Sequence, residues 1–231
     1  MIKEKKAVWE YPWEKPYTIK PKHDVLAIIR ETIPKVIDIR PVITPIQVAW
    51  HHIGWTPKSR KDAGERPLPV LEVECATAQE TLWVNEIRTR RLTEGLNQRH
   101  GLPLSYRALG SSESTSIFVM VSNVYARHGD NPTDEEKRPF REALDDLRVA
   151  VDSLIYERFG INVPELKRAY AEKLRREGRV KTQADVYEAE NTIDRALSAE
   201  SKEYGIRKRS AAIEQIIKEL TEDSQRSAPQ R

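Results

Sequence analysis

The chain reads as a mainly α-helical protein, with a C-terminal helical bundle behind an extended Pro/Trp-rich N-terminal arm and at most one or two short strands. Three observations predict this. Nine of the fourteen prolines and four of the five tryptophans (Trp9, Trp13, Trp50, Trp55) fall within residues 1–70, and closely spaced prolines hold a chain extended. From Thr77 onward the sequence is rich in Ala, Leu, Glu, Lys and Arg, with apolar residues recurring every three or four positions. Charge also changes near residue 70. The first 70 residues carry 13 Lys/Arg against 8 Asp/Glu, and residues 71–231 carry 26 against 28.

Residues 1–22 alternate aromatics, prolines and lysines, which marks an extended basic and aromatic arm. Its rings Trp9, Tyr11, Trp13 and Tyr17 are costly to leave in water, so they are expected to pack on the body of this chain or on a neighbouring subunit. A proline-broken segment, 23–76, follows. Asp24 is placed to cap a helix through Val25, Leu26, Ile28, Ile29 and Ile33, which Pro34 interrupts. Residues 36–48 alternate as a strand does, but Pro41 and Pro45 demote them to a sheet edge or an extended connection. Thr44-Pro45 could instead open a short helix ended by Gly54. KSRKDAGERP is a polar loop, and PVLEVEC (69–75) is the best strand candidate.

The helical bundle is expected over 77–223. Residues 77–100 lack proline and stop at Gly101. A loop with Pro103 and Gly110 leads to STSIFVMVSNVYAR, whose near absence of charge suggests a buried central helix, with a central strand as the alternative. From Thr133 or Pro139 to Phe159, the apolar residues Phe140, Leu144, Leu147, Val151, Leu154 and Ile155 form one continuous stripe. Thr133 and Glu136 match a capping box, and Pro139 would kink a helix begun there. Asn162 and Pro164 open the next helix, which Gly178 ends. Two more carry Val186, Ala189, Ile193, Leu197 and then Ile213, Ile216, Ile217, Leu220. Residues 224–231 are a polar tail with nothing to order it.

Composition excludes several classes. Cys75 stands alone, so no internal disulfide framework exists. It is read as a buried small hydrophobe in preference to a nucleophile. No apolar run approaches 18 residues, so no transmembrane segment is expected, and the start lacks the apolar stretch of a secretory signal. Cytoplasmic residence, or incorporation into a virion assembled there, is the expectation. Balanced high charge and loop prolines also fit a thermophile.

Local catalytic marks are few. His51-His52 point in different directions on either a helix or a strand, and no third ligand lies at suitable spacing, so no metal site is assigned. The nine glycines form neither GxGxxG nor GxxxxGK[ST]. Asp145-Asp146 and Glu135-Glu136 fit a solvated helix face. No cofactor and no catalytic residue are expected, although an enzyme assembled from distant residues would leave no local mark.

Basic residues carry the remaining signal. Lys3, Lys5, Lys6, Lys15, Lys20 and Lys22 punctuate the arm, Arg30, Lys35 and Arg40 follow, and Lys58, Arg60 and Lys61 occupy a loop. Arg88, Arg90 and Arg91 lie beside apolar positions of the first bundle helix. There they must pair with acid, possible partners being Glu72 or Glu74, or else meet a charged ligand. Dispersed positive charge of this kind suits a phosphate backbone. KLRREGRVK (173–181) and Arg207-Lys208-Arg209 have acidic neighbours and read as solvated helix ends.

The arm (Lys3 to Lys22), the proline-broken segment 24–55 and the bundle 133–223 together give an organisation that resembles the major coat proteins of filamentous archaeal viruses. Pro34, Pro41 and Pro45 break the region that forms clean wrapping helices in that family, and this chain is longer. The resemblance implies a nucleocapsid-type capsid protein, assembling with itself or a paralogous subunit into a filament. It implies sequence-independent DNA-binding, with double-stranded DNA favoured over RNA, and no catalysis. A reading from another class is an interaction subunit of a multiprotein or ribonucleoprotein complex, its arm docked on a partner protein.

Overall fold

The computed structural model describes residues 24–33, 35–44, 68–76, 104–108, 116–121, 134–199 and 205–227. The arm, the segments 45–67 and 77–103, and Thr133 lie outside the described residues, and so do the expectations placed on them. Within the described residues the elements are α1 (Val25–Thr32), β1 (Val36–Thr44), β2 (Leu68–Cys75), β3 (Leu104–Ala108), β4 (Ser116–Val121), α2 (Asp134–Phe159), α3 (Val163–Arg176), α4 (Gln183–Ser198) and α5 (Ala211–Ser227). The protein is mainly helical, as its sequence predicts. The strands number four, however, and pair antiparallel in the order β1-β2-β4-β3.

Two of these strands correct the sequence reading. The uncharged run at 116–121 forms β4, and the expected loop after Pro103 contains β3. Strand β4 sits between β2 and β3 and is buried on both faces, so its sequence shows no alternation of polar and apolar residues. Ile117 and Val119 join the core shared with the helices, while Phe118 and Met120 join Val42 and Val70 on the far face.

Helix ends follow local chemistry. The Asp24 carboxylate accepts from the Ala27 amide at 3.1 Å and starts α1. Helix α2 begins at Asp134 and runs through Pro139, which forfeits one backbone bond. Asn162 caps α3, with proline in its first turn, and Gly178 takes a positive φ of 73° just beyond its end. Thr182 and Asp185 form a reciprocal capping box at α4, an economy of two orphan amides. Helix α5 continues to Ser227, four residues into the expected tail. Ser224 bonds back to the Leu220 carbonyl at 2.8 Å, and Asp223 accepts from Arg176 of α3 at 2.7 Å.

The layers are simple. Helix α2 lies across β1, β2 and β4, flanked by α1, with α4 reaching β1. Helices α3, α4 and α5 pack on one another, and α3 also packs on α2. One hydrophobic core runs from Val25 in α1 to Leu220 in α5, across the residue-76 division expected from sequence. Cys75 is buried within it, as expected of a small hydrophobe. Among the described residues no helix is long and apolar enough to cross a membrane.

Leu147 is fully buried at the centre of this core. Leu147→Ala should cost about 2–5 kcal/mol of unfolding free energy, measured by urea denaturation.

Candidate functional site at the edge of strand β1

Strand β1 is the edge of the described sheet, and its polarity is built into the sequence. Asp38, Arg40 and Val42 share the far face, while Ile39 and Ile43 enter the core. Across the ladder Arg40 pairs with Glu72, and Asp38 with Glu74. Opposite charges are therefore neighbours on one face.

Arg40 is consumed by this arrangement. Its guanidinium bonds the Glu74 carboxylate and lies 3.0 Å from Asp38 and 3.7 Å from Glu72. Burial would lower its pKa, but Glu74, Glu72 and Asp38 together raise it. Arg40, expected to contact phosphate, is held by three carboxylates. Glu72 and Glu74, considered as partners for the arginines at 88–91, are engaged with Arg40, and those arginines lie outside the described residues.

Glu72 is only 1% exposed. A buried carboxylate requires hydrogen bonding, and Glu72 receives it from two segments remote from it in sequence. Ser116 Oγ donates to Oε1 and the Gly205 amide donates to Oε2, each at 2.7 Å. The next amide, Ile206, donates to the Pro41 carbonyl at 2.8 Å, and the Ile206 side chain enters the core. The segment 205–206 thus wraps the edge of the sheet from its far face to its helical face. Glycine is required by close approach, because a Cβ at 205 would overlap Arg40 Cβ and stand 2.6 Å from Glu72 Oε2.

Further along the same edge, Arg158 at the end of α2 bonds Asp38 and donates to the Ile39 carbonyl at 2.7 Å. Burial pushes the Asp38 carboxyl up, but the hydrogen bond and charge of Arg158, then the charge of Arg40, outweigh it and hold Asp38 below its ordinary value. The Pro41 and Ile39 carbonyls both face away from β2. Pro41 therefore directs its missing N–H outward as well, and costs the ladder nothing.

A groove beside this edge is lined by Arg30 of α1, Lys35 and Ile37 at the start of β1, and Glu157 and Arg158 of α2. Lys35 makes the turn from α1 into β1 at φ 51°, and its carbonyl accepts from the Ala76 amide at 3.2 Å. Ile37 is 64% exposed. From the other side Arg209 donates to the Phe159 carbonyl beside Arg158, and Arg207, 61% exposed, approaches Glu72 at 3.9 Å. Arg30, Lys35, Arg158, Arg207, Lys208 and Arg209 are all exposed.

The structure thus brings Arg30 and Lys35 together with cations that were not anticipated. Arg207-Lys208-Arg209 sit in the connection before α5, which Ser210 begins by accepting from the Ile213 amide at 3.1 Å. They do not end a helix. No local signal places them beside residues 30–40, since that juxtaposition is tertiary. The other expected contact residues (Lys3, Lys5, Lys6, Lys15, Lys20, Lys22, Lys58, Arg60, Lys61, Arg88, Arg90, Arg91) and the rings Trp9, Tyr11, Trp13 and Tyr17 lie outside the described residues, as do His51 and His52. Among the described residues no group of three or more His, Cys, Asp or Glu is arranged to hold a metal ion.

Two outcomes test this geometry. Gly205→Ala should destabilise the fold by about 1–3 kcal/mol in thermal or urea unfolding, because neither Arg40 Cβ nor the sheet can retreat. Asp38, with its lowered pKa, contributes stability above the ordinary carboxylate range that is lost as pH falls through it. The acid-unfolding profile of Asp38→Asn should therefore be flatter than that of the parent below pH about 4. Comparison of the chain with protein-family models, with curated proteins and with solved structures finds no match.

Proposed function

We propose that the protein is a non-catalytic structural subunit that packages nucleic acid, using its basic N-terminal region and the cationic edge of β1 on the phosphate backbone. The observation that carries this reading is the group of exposed cations Arg30, Lys35 and Lys208, with Arg158, Arg207 and Arg209, which keep solvent access while engaging Asp38, Glu72 and the Phe159 carbonyl. The lysines of residues 3–22 precede α1 in sequence and add to the basic charge of the N-terminal region. Arginine and lysine dispersed over backbone turns and a helix end suit contact with phosphates and carry no base code. In this reading the helices and sheet are the repeating body of an assembly made with copies of the chain or a paralogue. The arm's Trp and Tyr rings supply contacts between subunits, and the assembly is a nucleocapsid of a virion.

One observation favours a second reading. Ile37 is a large apolar residue left open beside the groove, and a protein partner could cover it. In that case the chain is an interaction subunit that docks without touching nucleic acid.

Salt separates the two. Binding of the full chain to double-stranded DNA should weaken linearly in log–log terms as salt rises, and Arg30→Gln, Lys35→Gln and Lys208→Gln together should reduce that slope by about 2–3. Absence of DNA binding at 50 mM salt, or an unchanged slope in the triple variant, would remove the β1 edge from the phosphate contact.

A further inference from the structure

We infer that the junction of α2, α3 and α4 is a proton-dependent clasp, in which the three helices hold one another more tightly when the Asp152 carboxyl carries a proton than when it is ionised. This inference is independent of the proposed function and rests on a different part of the molecule.

Two carboxylates, Asp152 of α2 and Asp194 of α4, are buried at this junction, with 7% and 4% exposure. The cations that reach them are engaged with Asp194. Lys167 of α3 places Nζ 2.6 Å from Asp194 Oδ1, and Arg148 of α2 places Nη1 4.0 Å from Oδ2. Among the described residues no cation closes to ion-pair distance on Asp152. The charges that act on it are Lys167, Arg148 and Asp194; helix α1 and strands β1, β2 and β4 also pack on α2, and none of their charged groups contributes. Asp152 therefore sits beside a completed ion pair, with a second negative charge as neighbour. Neutrality is its lower-energy condition in such a site.

The titration agrees with the geometry. Burial above all, with the neighbouring Asp194, pushes the Asp152 carboxyl up to about 7 against the pull of Lys167 and Arg148. The sign follows directly. In the unfolded chain the group loses its proton near 3.8, whereas the folded chain keeps it to about 7. Across that window the native state binds more protons, so stability falls as pH rises. Above it, the ionised carboxylate is buried without a cation of its own, and the helix junction bears the cost. The clasp is tight in weak acid and slack in weak base.

The test is urea unfolding of the full chain between pH 4.5 and 8.5, for the parent and for Asp152→Asn, a change that keeps shape and removes the charge. From pH 5 to pH 7 the folding equilibrium constant of the parent should fall at least tenfold relative to that of Asp152→Asn. Parallel profiles would overturn the inference. The carboxyl carbon resonance of Asp152 in the parent protein provides a second readout that needs no variant. A titration midpoint above pH 6 supports the clasp, and one below pH 5 refutes it.

Discussion

The buried carboxylate of Glu72 is the constraint around which the edge of this protein is arranged. A charge removed from water must be met by donors or opposite charge, and here they come from three distant parts of the chain: Ser116 of β4 and the Gly205 amide donate, and the Arg40 guanidinium of β1 pairs at 3.7 Å. Satisfying it draws the connection between α4 and α5 tightly across the sheet. That connection in turn places Ile206 in the core and brings Arg209 onto the Phe159 carbonyl, beside Arg158 of α2. That placement is therefore a by-product of a structural need, held by a single glycine that tolerates no side chain.

Most of the fold was legible because the relevant signals are local. The apolar stripe of α2, the Asn162 cap with its proline and the Asp24 cap each specify a helix from a few consecutive residues, whereas the Thr182–Asp185 box went unread. Strand β1 was legible as an edge for a similar reason: a proline at position 41 suits a strand only where its missing donor faces away from the ladder. Strand β4 was not legible. Flanked by strands on both sides and buried on both faces, it needs no polar alternation, and an uncharged run of that kind fits a buried helix equally well. Strand β3 is five residues long, too short to declare a period.

The candidate site was legible only in part. Arg30 and Lys35 stood out as cations near a turn, and the structure sets them on one groove. Arg40 looked equivalent in sequence, yet strand pairing gives it Glu72 and Glu74 from β2, besides Asp38 from its own strand. Only Asp38, two residues away on the same face, could have warned of this. Which glutamate faces which arginine depends on register, and a shift of β1 by one residue would have turned the guanidinium to the helix-covered face, away from both glutamates. The interior pair Asp152 and Asp194 was invisible for a related reason: each is an ordinary polar residue within its own helix, and their burial arises only when α2, α3 and α4 meet.

The bond between the Ile206 amide and the Pro41 carbonyl also bears on how the chain is made. Its two ends are separated by most of the polypeptide, and so are those of the Glu72–Gly205 bond. During synthesis the first sheet edge emerges from the ribosome long before the segment that seals it. Closing so long a loop is entropically slow. Until then, outward carbonyls of β1 and the Glu72 carboxylate must stay hydrated, so final consolidation of the amino-terminal half waits for translation to pass residue 206.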